Sequence, residues 1–146
     1  MKTLVIVEHN NDSGSVDEQA YIKKLTSDVR VVSIVHTSPV TGMTVDLEKI
    51  TKEVRNVTPD CIIIVDGIQH SSHGAIDVQK YDIDGYVVSP YKMFSRHGYG
   101  VAWASDRLCT LNKEQLADGP FQNWELGTRD AGSYATFSDV VDYLDW

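Results

Sequence analysis

Residues 61 to 69 read Cys61-Ile62-Ile63-Ile64-Val65-Asp66-Gly67-Ile68-Gln69. The first five are apolar without interruption, and Ile62 to Val65 are all β-branched. A strand with one wet face alternates, so an unbroken run of this kind predicts a central strand covered on both faces. The run stops on a carboxylate followed by glycine. Asp-Gly is turn chemistry, because Asp bonds its own backbone and Gly turns freely. The C-terminal end of a central strand is also where open α/β sheets place their ligands. Taken alone, Asp66 is open to either reading.

Working outward, Arg30–Val35 (RVVSIV) and Thr3–Val7 (TLVIV) are further short β-branched runs and predict strands. Between them, His9–Gly14 (HNNDSG) is a turn, and Val16–Leu25 has helical spacing with Asp17 and Glu18 in its first turn. Thr37–Gly42 (TSPVTG) is a loop. Asp46 is placed to cap a helix running to about Arg55, with Leu47, Ile50 and Val54 on one face. Downstream, Asp84–Ser89 and Tyr99–Ala104 predict two more strands. Gly132–Leu144 predicts a last helix, buried along Tyr134, Phe137, Val140, Val141 and Leu144. Strands alternating with helices give an α/β class: a mainly parallel sheet with flanking helices, in a single domain over 1–146. The chain starts almost directly on a strand and stops at a helix end, so the sheet is expected to belong to a larger one.

Composition narrows the classes. The chain has 146 residues, 42% hydrophobic and 23% charged, which fits a globular protein. Its net charge is −8, and no Lys or Arg cluster offers a face to a phosphate backbone, so no nucleic acid partner is expected. No apolar run approaches the roughly 20 residues of a bilayer span, so no membrane partner is expected either. The two cysteines, Cys61 and Cys109, have neither disulfide-framework nor metal-ligand spacing. No metal site is expected, and the cytoplasm is the expected compartment.

One lysine stands apart. The other lysines lie in polar stretches or near the termini, but Lys92 sits in Ser89-Pro90-Tyr91-Lys92-Met93-Phe94, just past a predicted strand. Two readings stay open for it. It either snorkels past its apolar neighbours to water, or it is a desolvated amine able to attack a carbonyl. Asp66 lies 26 residues upstream, also at a strand end. A strand-end carboxylate paired with a strand-end lysine is what a pyridoxal phosphate enzyme needs: the first for the pyridine nitrogen, the second for the aldehyde.

From Val65 to Trp103 the chain resembles the fold-type I pyridoxal phosphate enzymes of the class V aminotransferase and cysteine desulfurase family. Val65-Asp66-Gly67-Ile68-Gln69 matches their Val-Asp-Gly-x-Gln motif, and His73 matches the His four residues later. Ser89-Pro90-Tyr91-Lys92 stands for their Ser-Gly-His-Lys, and Gly98-Tyr99-Gly100 for the Gly-x-Gly of the next strand. Outside that span, His36 to Gly42 resembles a His-x-Ser-Asn-x-x-Gly loop, and Trp124 to Thr128 a Gly-Thr loop. The order and spacing of these pieces cover essentially the whole chain.

The resemblance implies part of a pyridoxal phosphate-dependent transferase large domain acting on an amino acid through a Lys92 Schiff base. Asp66 would pair with the pyridine nitrogen, Gln69 with the phenolic oxygen, and Ser89 with the phosphate. Thr128 would reach the phosphate of the neighbouring subunit, which implies a homodimer. Tyr91 stands where a phosphate-binding His is common, its hydroxyl as the substitute. Pro39 replaces an Asn and removes both a side-chain and a backbone donor. Arg96 or Arg129 offers a substrate carboxylate a bidentate fork, or is simply solvated. The family's upstream phosphate loop, its ring-stacking His and its small domain have no counterpart, so this chain alone is expected to be inert. The alternative is a non-catalytic remnant or interaction module that keeps the fold.

Overall fold

The computed structural model of the chain describes residues 3–16, 18–110 and 130–145. The elements in chain order are α1 (Glu18–Lys24), β1 (Val31–Val35), α2 (Leu47–Val57), β2 (Ile62–Asp66), β3 (Gly85–Val88), β4 (Val101–Ala104), α3 (Asp106–Cys109) and α4 (Ala131–Leu144). Two short 3-10 turns, His70–Ser72 and Pro90–Met93, follow β2 and β3. The four strands form one sheet in sequence order. β1, β2 and β3 are parallel, and β4 runs antiparallel to β3. Parallel pairing carries the ends of β1, β2 and β3 to one edge: Val35 lies beside Asp66, and Asp66 beside Val87.

α2 forms where the spacing predicts. The Asp46 carboxylate accepts from the Lys49 amide at 3.1 Å and caps the first turn. Its apolar stripe, Leu47, Ile50 and Val54, packs into a core with Val32, Ile34, Ile63, Val65 and Tyr86. These residues occupy one face of the sheet. On the other face Ile62 and Ile64 are only half-buried, and Val31 and Val35 are exposed. The expectation that β2 is covered on both faces is therefore corrected. Among the described residues α2 covers one face, while on the other, Leu108 of α3 lies near Gly85, and Ile62 and Ile64 stay half-buried. A Cβ on Gly85 would stand 2.7 Å from the Ile64 Cδ1 and 3.3 Å from the Leu108 Cδ2.

Two further expectations are corrected. Thr3–Val7 forms no strand, and Leu4, Val5 and Ile6 are exposed. β-propensity is realised only when a neighbouring strand supplies ladder bonds, and this run has none among the described residues. What holds it locally is the Lys24 ammonium on the Ile6 carbonyl. α4 forms as expected, but its apolar stripe is not buried: Tyr134, Val141 and Leu144 are exposed, and only Ser133 is buried. The 3.6-residue period makes a stripe, but an opposing surface is needed to bury it.

At the end of the sheet opposite the paired C-termini, one carboxylate joins five segments. Asp84 is 1% exposed. Its Oδ2 accepts from the Ile63 amide and from Arg55 Nη2, each at 2.8 Å. Its Oδ1 accepts from the Ser105 hydroxyl at 3.1 Å, and Arg107 Nε lies 3.4 Å away. Arg55 also reaches the carbonyls of Pro59, Cys61 and Asp82. This buried charge is neutralised and fully bonded, the condition under which burial is tolerated.

The loop after β1 closes over the C-terminal edge. The His36 amide donates to the Asp66 carbonyl at 2.9 Å, and Thr37 bridges Thr44. The buried His36 ring shares a 2.8 Å hydrogen bond with the Tyr86 hydroxyl and stacks on His70 with centroids 3.5 Å apart. Burial, and secondarily the neighbouring His70, lower the His36 pKa from 6.5 to about 4. Burial likewise raises that of Tyr86, assisted by Tyr81 and Asp66, so its phenol stays protonated.

Two outcomes follow. Asp84→Ala strands the Ile63 amide and a nearly buried guanidinium, and urea denaturation will show a loss of about 3 kcal/mol. The depressed His36 pKa means that the unfolded chain binds its proton near pH 6.5 while the folded chain refuses it until about pH 4. Its contribution is present above pH 6.5 and is lost as the pH falls. Unfolding free energies from urea titrations will be about 1 kcal/mol higher at pH 7.5 than at pH 5.5 from this group, and His36→Asn will flatten that difference.

Candidate functional site

The strand ends and the two 3-10 turns gather the polar residues of the C-terminal edge. Asp66 closes β2 and is half-buried. Its Oδ1 accepts from the Ile68 amide at 3.0 Å, so the turn-capping reading is realised. That uses one oxygen; Oδ2 accepts no hydrogen bond among the described residues. Gly67 is required by close approach. A Cβ there would stand 2.0 Å from Tyr86 Cε1, so the turn lies directly on the tyrosine ring. The Gly67 amide donates to the Val87 carbonyl at 2.9 Å, and the Ser71 amide to the Gly67 carbonyl at 2.9 Å.

Gln69 precedes the His70–Ser72 turn and Lys92 lies within the Pro90–Met93 turn. The two turns pack together. Lys92 Nζ donates to Gln69 Oε1 at 2.8 Å, and Gln69 Nε2 lies 3.2 Å from His73 Nε2. An ammonium only donates, so the carboxamide oxygen must face it. Lys92 is half-buried, although two of the three apolar neighbours that singled it out in the sequence are exposed. Phe94 is 79% exposed, and Tyr91 turns outward to stack on His97 at 4.3 Å. The lysine is instead oriented by its turn. Pro90 opens the turn, the Lys92 amide donates to the Ser89 carbonyl at 3.0 Å, and Phe94 closes it at φ +66°. A bulky residue in the left-handed region costs on the order of 1 kcal/mol, which the surrounding bonds sustain.

Ser89 stands immediately after β3, half-buried, and its hydroxyl has no hydrogen bond among the described residues. The structure thus brings Asp66, Gln69, Ser89, Tyr91 and Lys92 to one edge. Thr128 lies outside the described residues, as does Arg129. Arg96 is an exposed residue engaged with Asp130 at 3.6 Å. Cys61 is buried just before β2, and Cys109 sits in α3. The sequence reading missed the interlocked His36, His70 and Tyr86. No local pattern marks them, because they come from three segments that only pairing in the sheet unites.

The donor set fits a pyridoxal phosphate ring. It combines an unused carboxylate oxygen, an amine with one replaceable partner, a carboxamide and an unpartnered hydroxyl, all on the exposed end of a parallel sheet.

Comparison with known proteins gives the same family. The chain is 32% identical over 89 residues to a probable cysteine desulfurase of Mycoplasma genitalium, covering 61% of this chain and 22% of that protein. It is 37% identical over 108 residues to the cysteine desulfurase SufS of Plasmodium falciparum, covering 70% and 20%. The crystal structure of the cysteine desulfurase CsdA from Escherichia coli superposes with a TM-score of 0.80 at 25% identity, over 97% of this chain and 38% of that one. A cysteine desulfurase from Thermococcus onnurineus shares the fold, with a TM-score of 0.76 at 21% identity. The chain therefore spans between about a fifth and two fifths of the length of these proteins. The model of the class-V aminotransferases matches residues 2–129, a stretch that holds the whole sheet and both turns at its edge, and the chain belongs to that family.

Proposed function

We propose that this chain is the ring-binding part of a pyridoxal phosphate enzyme acting on an amino acid. The observation that carries the reading is the 2.8 Å bond from Lys92 Nζ to Gln69 Oε1, which tethers the lysine to the turn begun by Asp66. The class-V family is pyridoxal phosphate-dependent, and its relatives named above are cysteine desulfurases. When bound, the cofactor supplies an electron sink for the substrate's α carbon.

Each residue has a task. Asp66 Oδ2 would accept a hydrogen bond from a protonated ring nitrogen, while Oδ1 stays bonded to the Ile68 amide, which holds the carboxylate's orientation. Gln69 Nε2 offers a donor to a ring oxygen. Lys92 Nζ, once released from Gln69 and deprotonated, would hold the cofactor's aldehyde and would move a proton at the substrate's α carbon. The Ser89 hydroxyl and the Tyr91 phenol would serve the phosphate, and Thr128 would serve that of a second copy in a homodimer. A remnant reading, in which the fold and the ring-binding residues are kept without turnover, stands beside this one. It predicts the same binding without turnover.

Incubation with pyridoxal phosphate, borohydride reduction and peptide mapping will place the adduct on Lys92. Lys92→Ala will abolish it, and Asp66→Ala will weaken cofactor binding about tenfold, the loss of one charge-assisted bond. Adducts scattered over surface lysines overturn the assignment. Transamination of alanine and sulfide release from cysteine, each measured against free cofactor, separate the readings. The isolated chain is expected to match the free-cofactor rate; a rate above it that Lys92→Ala removes overturns the remnant reading.

A further inference from the structure

We propose that Tyr86, His36 and His70 form a positioning network that sets the attitude of the Asp66–Gln69 turn, and through Gln69 that of Lys92. The proposal rests on the function proposed above, since it assigns the turn a geometry to keep.

All three residues are buried, between 3% and 9% exposed. Tyr86 presses its ring on Gly67, so the turn and the ring move together. Its hydroxyl is held by His36 at 2.8 Å. The His36 backbone in turn holds the Asp66 carbonyl at 2.9 Å. The His36 ring stacks on His70 at 20° between planes, and Tyr81 meets it edge-on at 5.7 Å. His70 Nδ1 is bonded to Thr37 Oγ1 at 2.9 Å, and that hydroxyl to Thr44 Oγ1 at 2.8 Å. His70 directly follows Gln69, whose carboxamide reaches Lys92. One connected array therefore runs from the β1 loop through both histidines to the site.

A core built only for stability fills such a space with apolar side chains, often at no loss. Directional bonds do something that apolar filling does not: they select one ring orientation and one turn conformation. None of the three side chains makes a hydrogen bond with Asp66, Gln69 or Lys92 themselves, so they are positioning residues and not catalytic ones.

The test needs no cofactor. Tyr86→Phe keeps the ring on Gly67 and removes only the hydroxyl. In the apo chain, amide exchange at Ile68 and Ser71 is expected to accelerate about tenfold, the factor given by one hydrogen bond of ordinary strength. Exchange at Ile63 and Val65 in the core of β2 stays unchanged. Thr37→Val, which frees His70 without changing volume, is the second variant and should loosen Ser71 in the same way. Unchanged exchange at Ile68 and Ser71 in both variants, or equal acceleration across β2, overturns the proposal. Pyridoxal phosphate titration of the same variants is read separately, with an expected affinity loss of about tenfold at an unchanged Lys92 adduct site. If the parent chain binds no cofactor, the proposed function fails while the exchange result still decides the network.

Discussion

The Asp84 carboxylate is the constraint on which the rest of the structure depends. It is a full charge at 1% exposure, and it survives there only because Ile63, Arg55, Ser105 and Arg107 all turn donors toward it. Those four residues come from β2, α2, the end of β4 and α3. Satisfying one carboxylate therefore fixes how the helix leans on the sheet, and where the antiparallel strand returns. Breaking such a cluster exposes each donor to an unmet desolvation cost, so the segments assemble together or not at all.

With that end of the sheet locked, the other end is free to be polar. Parallel strands end together, and their last residues leave backbone groups and side chains that the ladder does not use. Asp66 and Ser89 sit at such ends. Lys92 and Gln69 lie on short turns rather than long helices, where a lysine is aimed by a proline at the start and a left-handed residue at the close. A loop would reach the same place with less precision; here the turn's own hydrogen bonds supply it.

Apolar surface remains on the face of β1 away from α2, on the N-terminal run and on α4. Val31 and Val35 on β1, Leu4 to Ile6 upstream, and Tyr134, Val141 and Leu144 on α4 are all exposed. The crystal structure on which this chain superposes is longer, this chain covering 38% of it. β-propensity and a helical stripe are satisfied only where a neighbouring surface meets them.

Local chemistry made much of this legible from residues alone. Three parallel strands, the Asp46-capped helix and the strand-end positions of Asp66 and Lys92 follow from β-branched runs, 3.6-residue spacing and turn residues, all of which act within a few positions along the chain. The family motif added Gln69, Ser89 and Tyr91. What the sequence could not determine is which apolar runs find a partner, since Thr3–Val7 and the α4 stripe are as apolar as their buried counterparts. Nor could it show that Asp84, read only as the start of a strand, is the most heavily bonded carboxylate among the described residues, or that His36, His70 and Tyr86 meet. Those outcomes depend on the pairing of segments tens of residues apart. Hydrogen bonding and desolvation act between groups in contact, and only the folded chain decides which groups those are.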